Sequence, residues 1–360
     1  MQACQEMSAL NRMDAFLAQM DADAALIHRP ENIRYLSGYA GEGCLFISRD
    51  VRAILTDFRY IEQAGRQAPD WRVERTTLER KATGIARALA EEVGARSMRV
   101  ETDYLTHDDF LALSEALSGV ELRSMEGIPE KLRQIKDADE IACIREASRI
   151  ASQAFINILP RLRAGMTEID AKIELEFEML RLGSEGPAFD TIAAAGVNGS
   201  LPHAVPSGHV IAEGELLTLD FGATYNGYLS DITRTVAFGR VSPELRAIYD
   251  TVHDAQRLAL EAIGPGKRCC DVDRVARDYI DARYPGAFGH SLGHGVGLFI
   301  HEQPRVSTND VTVLLPGHVV TVEPGVYIPG VGGCRIEDTV IMTSDGVINA
   351  MHAPKHLIEL

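Results

Sequence analysis

The stretch GELLTLDFGATYNGYLSDITRTVAFG, residues 214–239, decides the fold of the larger part of the chain. Two apolar-rich runs flank Asn226-Gly227, a pair that is favoured in tight hairpins because both residues tolerate a positive φ. The turn therefore predicts an antiparallel hairpin in which Tyr225 pairs with Tyr228.

The register of this hairpin places two acidic side chains on one face of the sheet. Asp220 lies opposite Thr233. Gly222 lies opposite Asp231, which makes Asp231 a diagonal neighbour of Asp220 on the same face. A single aspartate in a strand is usually a strand-end or edge residue. Two aspartates on one half-buried face repel each other unless a cation or a proton lies between them, so the pair favours a metal site.

Further metal-binding side chains follow in the sequence. The stretch HVVTVEPGVYIPGVGGCRIEDTVIM, residues 318–342, predicts a second hairpin-like unit that brings Glu323 and Glu337 in on strands. Between the two hairpins, GHSLGHGVGLFIHEQP, residues 289–304, contains three histidines among glycines that allow close backbone approach to a ligand. They are His290, His294 and His301. A single histidine, considered alone, is more often structural than a metal ligand.

Length and composition set broad limits. A chain of 360 residues exceeds one average domain, and two domains are expected. The net charge of -16 argues against nucleic acid and anionic membrane surfaces as partners. Residues 1–20 predict a surface helix instead of a signal peptide, and no run is long and apolar enough to span a membrane. The six cysteines form no CxxC pair, which favours a reduced, cytoplasmic protein.

The order of patterns along the chain predicts a small α/β domain, residues 1–127, followed by a larger domain, residues 128–360. Start signals at Thr167 and Ser242 predict helices that run to Leu182 and to Gly264. Long β-rich stretches with Gly and Asn turns surround these helices, which favours an antiparallel α+β fold.

Five motifs resemble those of the pita-bread-fold metallopeptidases, a family that includes aminopeptidase P, prolidase and methionine aminopeptidase. They are LDFGATYNGYLSDITRT, GHSLGHGVG, VEPGVY, RIEDT and IAAAGVNGSLPHAVPS. The segments ENIRYLSGYAG, residues 31–41, and LTDFRYIEQA, residues 55–64, resemble the creatinase-type amino-terminal domain of the proline-directed branch. The resemblance implies a pita-bread catalytic domain, short proline-containing peptides as substrates and a homodimer.

The resemblance also implies a ligand set for two divalent metal ions. Asp231 and Glu337 would bridge both ions, Asp220 would complete one site, and His294 and Glu323 would complete the other. Four carboxylates and one imidazole form an oxygen-rich site, which favours Mn²⁺, with Co²⁺, Fe²⁺ and Zn²⁺ as alternatives.

The family comparison assigns roles to further residues. Glu323 would carry a proton, His203 and His301 would lie beside the scissile group, and His290 would line the pocket for the residue after the cut. Strand alternation puts Arg335 on the same face as Glu337, where it would orient Glu337 or Asp220 together with Tyr327. An ordinary salt-bridged arginine is the alternative. Relatives commonly differ at Phe299 and at Gly208-His209, which predicts an effect on the pocket.

Competing interpretations remain open. Gly289 to Gly293 spell the G-x-S-x-G motif of serine hydrolases around Ser291, but the glycines and Pro304 after it make a poor helix. A non-catalytic pita-bread binding protein or a creatinase-type enzyme would be expected to lack metal ligands. The sequence favours an Xaa-Pro dipeptidase, with aminopeptidase P as the alternative.

Overall fold

The computed structural model describes residues 12–360, and the chain divides into two units between Arg133 and Gln134. The first unit contains a six-stranded mixed sheet in which the strands lie side by side in the order β4-β3-β2-β1-β5-β6. Its strands are β1 (Ala24–Ile27), β2 (Cys44–Ser48), β3 (Arg52–Thr56), β4 (Arg72–Arg75), β5 (Ser97–Val100) and β6 (Glu121–Ser124). Its helices are α1 (12–19), α2 (Pro30–Ser37), α3 (Ile61–Gln67), α4 (Ala82–Glu92), α5 (His107–Ala116) and α6 (Ile128–Arg133).

Two sequence predictions concern the ends of this unit. Residues 1–11 of the predicted surface helix lie outside the described residues, whereas 12–19 are helical and bury Met13 and Phe16. The predicted domain boundary at residue 127 remains a prediction, and the structure assigns α6 to the first unit.

The second unit contains two antiparallel sheets, β11-β8-β7 and β13-β12-β14-β17-β18, and two short hairpins, β9-β10 and β15-β16. Its strands are β7 (Ile192–Ala195), β8 (Leu216–Phe221), β9 (Thr224–Tyr225), β10 (Tyr228–Leu229), β11 (Ile232–Ala237), β12 (Gly293–Gly295), β13 (Glu302–Val306), β14 (Val319–Val322), β15 (Gly325–Ile328), β16 (Gly332–Arg335), β17 (Asp338–Thr343) and β18 (Gly346–Asn349). Its helices are α7 (Ala138–Ile158), α8 (Glu168–Arg181), α9 (Pro243–Ala262) and α10 (Cys269–Asp281). The prediction of an antiparallel α+β fold for the larger part of the chain is confirmed.

The helices begin where the sequence signals predict. The Thr167 side chain accepts a hydrogen bond from the Asp170 backbone N–H, and Asp170 reciprocates, which forms a capping box for α8. Ser242 caps α9 in front of Pro243. Apolar side chains of α7 and α8 pack on β7, β8 and β11, and those of α9 and α10 pack on the second sheet. Within the described residues, no helix is both long enough and apolar enough to cross a membrane.

The hairpin register agrees with the prediction, since Tyr225 pairs with Tyr228 and Asp220 pairs with Thr233. The second hairpin needs a correction. Glu323 follows the last residue of β14, and Glu337 precedes the first residue of β17, so both lie just outside strands. Pro324 has no N–H to donate to a ladder, which ends the pairing at this point.

Candidate metal centre

The first hairpin positions Asp220 and Asp231 at the centre of the second unit. Asp220 lies on β8, and Asp231 precedes β11, the partner of β8. The strands approach closely at Gly222, where a Cβ would lie 1.9 Å from the Ser230 carbonyl oxygen. A side chain at residue 222 would therefore separate the two strands that present the aspartates.

Three side chains converge on one point. Ligand atoms of Asp231, His294 and Glu337 all lie within 4.8 Å of one another. His294 Nε2 is 3.4 Å from Asp231 Oδ2 and 3.3 Å from Glu323 Oε1. Asp220 borders the same cavity. The structure thus brings together the five side chains that the resemblance assigns to metal binding.

Burial and mutual repulsion raise the pKa values of the acidic groups. Burial, followed by the charge of Asp220, raises the pKa of Asp231 well above its usual value. Burial, followed by the charge of Asp231, does the same for the pKa of Glu337. Burial raises the pKa of Glu323 to about 8. Burial and the neighbouring carboxylates therefore outweigh the stabilising positive charge of Arg335.

Two carboxylate oxygens in this cluster show where a cation would fit. Asp220 Oδ1 and Glu337 Oε1 are buried and have no hydrogen-bond partner among residues 12–360. Buried carboxylate oxygens are normally paired or bound to a metal. The donor set and these two free oxygens therefore fit divalent cations.

Arg335 links the acidic side chains to neighbouring strands. Its Nη2 donates to Asp220 Oδ2 at 2.6 Å, and its Nη1 donates to the hydroxyl of Tyr327 at 2.7 Å. Its Nε donates to Thr233 Oγ1, and that hydroxyl donates to Glu337 Oε2 at 2.7 Å. Arg335 therefore contacts Asp220 directly and reaches Glu337 through Thr233.

The histidines differ in their surroundings. His294 is buried, its Nδ1 lies 3.1 Å from the Gly295 carbonyl oxygen, and burial lowers its pKa to about 3. This contact fits an Nδ1–H donor, which leaves Nε2 free to bind a cation. Burial lowers the pKa of His290 to about 4 and also lowers that of His301. These imidazoles are therefore neutral at neutral pH.

The cluster opens into a cavity of about 300 Å³ that is bordered by His203, His290 and His301. Six other bordering residues were not predicted from the sequence: Phe189, Asp190, Ile192, Pro202, Ile300 and Arg305. Strand alternation from His301 could have indicated Arg305, whereas no chemical signal distinguishes the apolar members from ordinary core residues.

The residues that support other interpretations have ordinary structural positions. Ser291 borders the cavity but is followed by the strand β12, whereas a nucleophile elbow requires a helix after the serine. Neither Phe299 nor His209 is among the residues bordering the cavity, so their predicted effect on the pocket is not supported. His209 instead lies 3.1 Å from a carboxylate oxygen of Glu215.

A buried ion pair lies directly behind the cluster and was not found from the sequence. Arg234 Nη2 donates to Asp338 Oδ1 at 2.7 Å, and both side chains are buried. The guanidinium of Arg234 also donates to the backbone carbonyls of Thr233 and Glu337. This pair fixes the backbone that holds Glu337.

Comparison with known proteins identifies the class. Residues 142–344 match metallopeptidase family M24, and residues 10–135 match the Creatinase/Prolidase N-terminal domain. The chain therefore belongs to metallopeptidase family M24 and carries the amino-terminal domain of its creatinase and prolidase members. The resemblance inferred from the motifs is therefore confirmed. The family uses divalent metal ions, and the cluster of Asp231, His294 and Glu337 could hold such an ion.

Similar proteins include enzymes named for both proline-directed activities. An Xaa-Pro dipeptidase from Bacillus anthracis is 41% identical with a TM-score of 0.94, and the match covers 98% of this chain and 100% of that one. An X-Pro aminopeptidase from Thermotoga maritima is 33% identical with a TM-score of 0.90, covering 96% and 99%. An Xaa-Pro dipeptidase of Pyrococcus furiosus is 35% identical over 97% of this chain and 99% of its own length.

Proposed function

We propose that this metallopeptidase is a dinuclear-metal exopeptidase that hydrolyses the bond between an amino-terminal residue and proline, with Xaa-Pro dipeptides as preferred substrates. The observation that carries the proposal is the convergence of Asp231, His294 and Glu337 inside a cavity. The relatives named Xaa-Pro dipeptidase support the substrate class. The relative named X-Pro aminopeptidase supports the alternative, cleavage of longer Xaa-Pro peptides.

The proposed site holds two divalent ions. Asp231 and Glu337 would contact both ions, Asp220 would contact one, and His294 and Glu323 the other. The oxygen-rich donor set favours Mn²⁺, with Co²⁺, Fe²⁺ or Zn²⁺ as alternatives. When bound, such ions lower the pKa of water and stabilise the negative charge that develops on an amide oxygen during hydrolysis.

The protein's own groups would move the protons and orient the substrate. Glu323 would accept a proton from the attacking water and deliver it to the proline nitrogen as the bond breaks. His203 and His301 border the cavity and would orient the scissile group, and His290 would contact the residue after the cut. His290 is held by the hydroxyl of Tyr327, which lies 2.9 Å from its Nε2.

Proline requires a dedicated pocket. An Xaa-Pro bond has no amide N–H, and the ring fixes φ, so an enzyme that reads an extended backbone handles it poorly. Phe189, Ile192 and Ile300 provide apolar surface beside the metal-binding side chains. These side chains would contact the proline ring.

A positively charged arginine side chain at the cavity favours a short substrate that has a free carboxylate. Arg305 and Arg335 are the guanidinium groups that border the cavity. Arg335 is engaged by Asp220 and Tyr327. The guanidinium of Arg305 has no hydrogen-bonding or ion-pair partner among the described residues. Because His290 and His301 are neutral at neutral pH, Arg305 is the better group to bind the free carboxylate of a dipeptide.

A comparison of kcat/KM for Ala-Pro, Ala-Pro-Ala and Ala-Ala at fixed Mn²⁺ tests the substrate proposal. We expect Ala-Pro to be cleaved best and Ala-Ala poorly. Equal cleavage of Ala-Ala would refute proline specificity. Clearly better cleavage of Ala-Pro-Ala would replace the dipeptidase with the aminopeptidase.

The proposed role of Arg305 predicts a dependence on the substrate's carboxylate. The intact enzyme should prefer Ala-Pro over Ala-Pro-amide, and Arg305→Gln should lower kcat/KM for Ala-Pro by roughly 10- to 100-fold, the value of a charged hydrogen bond. The same variant should change the amide little. Arg274→Gln, an exposed arginine on α10, is the control. Equal losses on both substrates would reject the assignment.

The proposal also includes a homodimer and a cytoplasmic location. The five cysteines within the described residues are free thiols, which supports a reducing compartment.

A further inference from the structure

The loop that follows β7, residues 196–206, carries His203 to the edge of the cavity. It begins with a 3₁₀ helix, Gly196–Ser200, and leads to Ser207, whose carbonyl accepts a hydrogen bond from the Ile169 backbone N–H in the first turn of α8. The imidazole of His203 makes no hydrogen bond with any residue that the structure describes. Its position therefore depends on how firmly the loop backbone is held.

One buried carboxylate binds both ends of this loop. Glu168, the first residue of α8, is fully buried. Its Oε1 accepts hydrogen bonds from the backbone N–H of Ala195 at 2.7 Å and from the side-chain amide of Asn198 at 3.0 Å. Its Oε2 accepts from the backbone N–H of Ser207 at 2.9 Å and from the hydroxyl of Ser207 at 2.7 Å. Because Ala195 and Ser207 directly precede and follow the loop, Glu168 fixes the distance between its two ends.

The four hydrogen bonds explain how this carboxylate can be buried. An ionised carboxylate in a protein interior is costly unless donors surround it, and hydrogen bonds to a charged acceptor are roughly twice as strong as neutral ones. A negative charge in the first turn of a helix is also favoured by the helix dipole. All four donors to Glu168 belong to the loop or to its ends. The hydrogen bonds that stabilise the carboxylate are therefore the same ones that hold the loop.

The middle of the loop is tied to the acidic cluster. Arg335 Nη1 donates to the carbonyl oxygen of Pro202 at 3.2 Å, and Arg335 Nη2 donates to Asp220. The backbone directly before His203 is thereby linked to a side chain of the candidate metal centre. The loop is thus held at its ends by Glu168 and near its centre by Arg335.

We propose that Glu168 is a positioning residue for hydrolysis: by holding the two ends of the loop together, it places the imidazole of His203 beside the scissile bond. Glu168 is not among the residues that border the cavity, so it acts only through the loop. This inference rests on the role of His203 in the proposed function. A displacement of about 1 Å in an orienting group can lower a rate roughly 100-fold. A loosened loop should therefore lower kcat while the metal ions stay bound.

Two variants of Glu168 loosen the loop to different degrees. Glu168→Gln keeps the side-chain volume and one acceptor oxygen, so either the Ala195 or the Ser207 backbone N–H loses its acceptor. Glu168→Ala removes both acceptors. We expect kcat for Ala-Pro at saturating Mn²⁺ to fall by roughly 10- to 100-fold in Glu168→Gln and further in Glu168→Ala. KM should change less, and bound Mn²⁺ should equal that of the intact chain.

The matched control is Glu174→Gln, which makes the same chemical change on the same helix. Glu174 is partly exposed and pairs with Arg161 at the surface, where an ion pair contributes little, so kcat should stay normal. If neither Glu168 variant folds, Asn198→Ala removes one donor from the loop and leaves Glu168 in place. It should lower kcat in the same way but by a smaller factor.

A double-mutant cycle shows whether Glu168 acts through His203. Glu168→Gln should lower kcat much less in a His203→Ala background than in the intact chain, because the imidazole that it misplaces is already absent. General destabilisation would instead lower kcat by the same factor in both backgrounds. Hydrogen exchange gives a readout that does not depend on activity. The backbone amides of residues 195–207 should exchange faster in Glu168→Gln, whereas those of β14 should not.

Four results would overturn the inference: near-normal kcat in folded Glu168→Gln, equal losses of kcat in the two backgrounds of the cycle, unchanged hydrogen exchange in the loop, or loss of bound Mn²⁺. Each of these results, obtained while the intact chain hydrolyses Ala-Pro, rejects the role of Glu168 alone. Failure of the intact chain to cleave any Xaa-Pro substrate would reject the proposed function, and this inference with it.

Discussion

Glu323 stands between two imidazoles at the edge of the acidic cluster. Its Oε1 lies 3.3 Å from His294 Nε2 and accepts a hydrogen bond from Thr321 Oγ1. Its Oε2 lies 4.0 Å from His290 Nδ1. One oxygen thus faces His294 and the other faces His290, which suits the proposed role of Glu323 in binding a cation and transferring a proton.

Replacing Glu323 with Gln keeps the side-chain volume but removes the proton acceptor and one negative charge. We expect kcat for Ala-Pro to fall by at least about 10²- to 10⁴-fold, the range for loss of an acid–base group. Glu244→Gln, at an exposed residue of α9, serves as the control and should keep normal turnover. A folded Glu323→Gln protein with near-normal turnover would show that Glu323 is not part of the reaction.

Replacing Asp231 with Asn should change the stability of the protein in opposite directions with and without metal. Its carboxylate is buried beside other carboxylates, so its charge opposes folding when no cation is bound. In EDTA, Asp231→Asn should therefore melt at a higher temperature than the intact chain. In excess Mn²⁺ the order should reverse, because only the intact site binds the ion tightly.

Thermal melts of both proteins in EDTA and in Mn²⁺ check this prediction. Asp345→Asn, at an exposed position between β17 and β18, should behave like the intact chain in both conditions. If Asp231→Asn had the lower melting temperature in EDTA, Asp231 would be stabilising the fold without a metal, and the repulsion argument would be wrong.

The hairpin of β8 and β11 depends on the close approach at Gly222. A Cβ there would overlap the Ser230 carbonyl oxygen and lie 2.8 Å from the Ala188 side chain. Gly222→Ala should lower the free energy of unfolding by about 1–3 kcal/mol, as overpacking does. In the control Gly208→Ala, the added Cβ has no described atom within 4 Å. Urea denaturation of both variants measures the difference, and equal stability would contradict the close approach.

The hairpin was predictable because its turn chemistry and its alternation act locally. Asn226 has a φ of 46° and Gly227 a φ of 70°, the values that the turn requires, and this turn fixes the register that pairs Asp220 with Thr233. The positions of Glu323 and Glu337 were only partly predictable. Their order along the chain indicated a shared site, but the ends of β14 and β17 depend on neighbouring strands.

The cavity could be predicted only through its chemically distinctive residues. Carboxylates and histidines in an ordered set of motifs pointed to the metal centre, whereas Phe189 and Ile300 look like core residues in the sequence. They border the same cavity because separate segments of the second unit fold together around it. Strand alternation from His301 indicates the side of the strand on which Arg305 lies, but only the folded chain shows that Arg305 borders this cavity.

For the whole chain, the central claim is that the buried carboxylate cluster of the second unit holds the metal ions needed for hydrolysis. The excess of 52 acidic over 36 basic residues does not itself indicate a metal site, because most acidic side chains lie in solvent. Asp231 and Glu337 differ because they are buried, and Glu337 also retains an unpartnered oxygen. Ions bound there should add stability as well as activity.

The most direct measurement is a stepwise addition of Mn²⁺ to protein that has been stripped with EDTA, with bound metal and hydrolysis of Ala-Pro measured at each step. The proposed site predicts no detectable hydrolysis without metal, a rise as Mn²⁺ binds, and a plateau at two ions per chain. The Asp231→Asn protein should bind less metal and remain inactive throughout. Full turnover by rigorously metal-free protein, or full activity of Asp231→Asn without bound metal, would contradict the account.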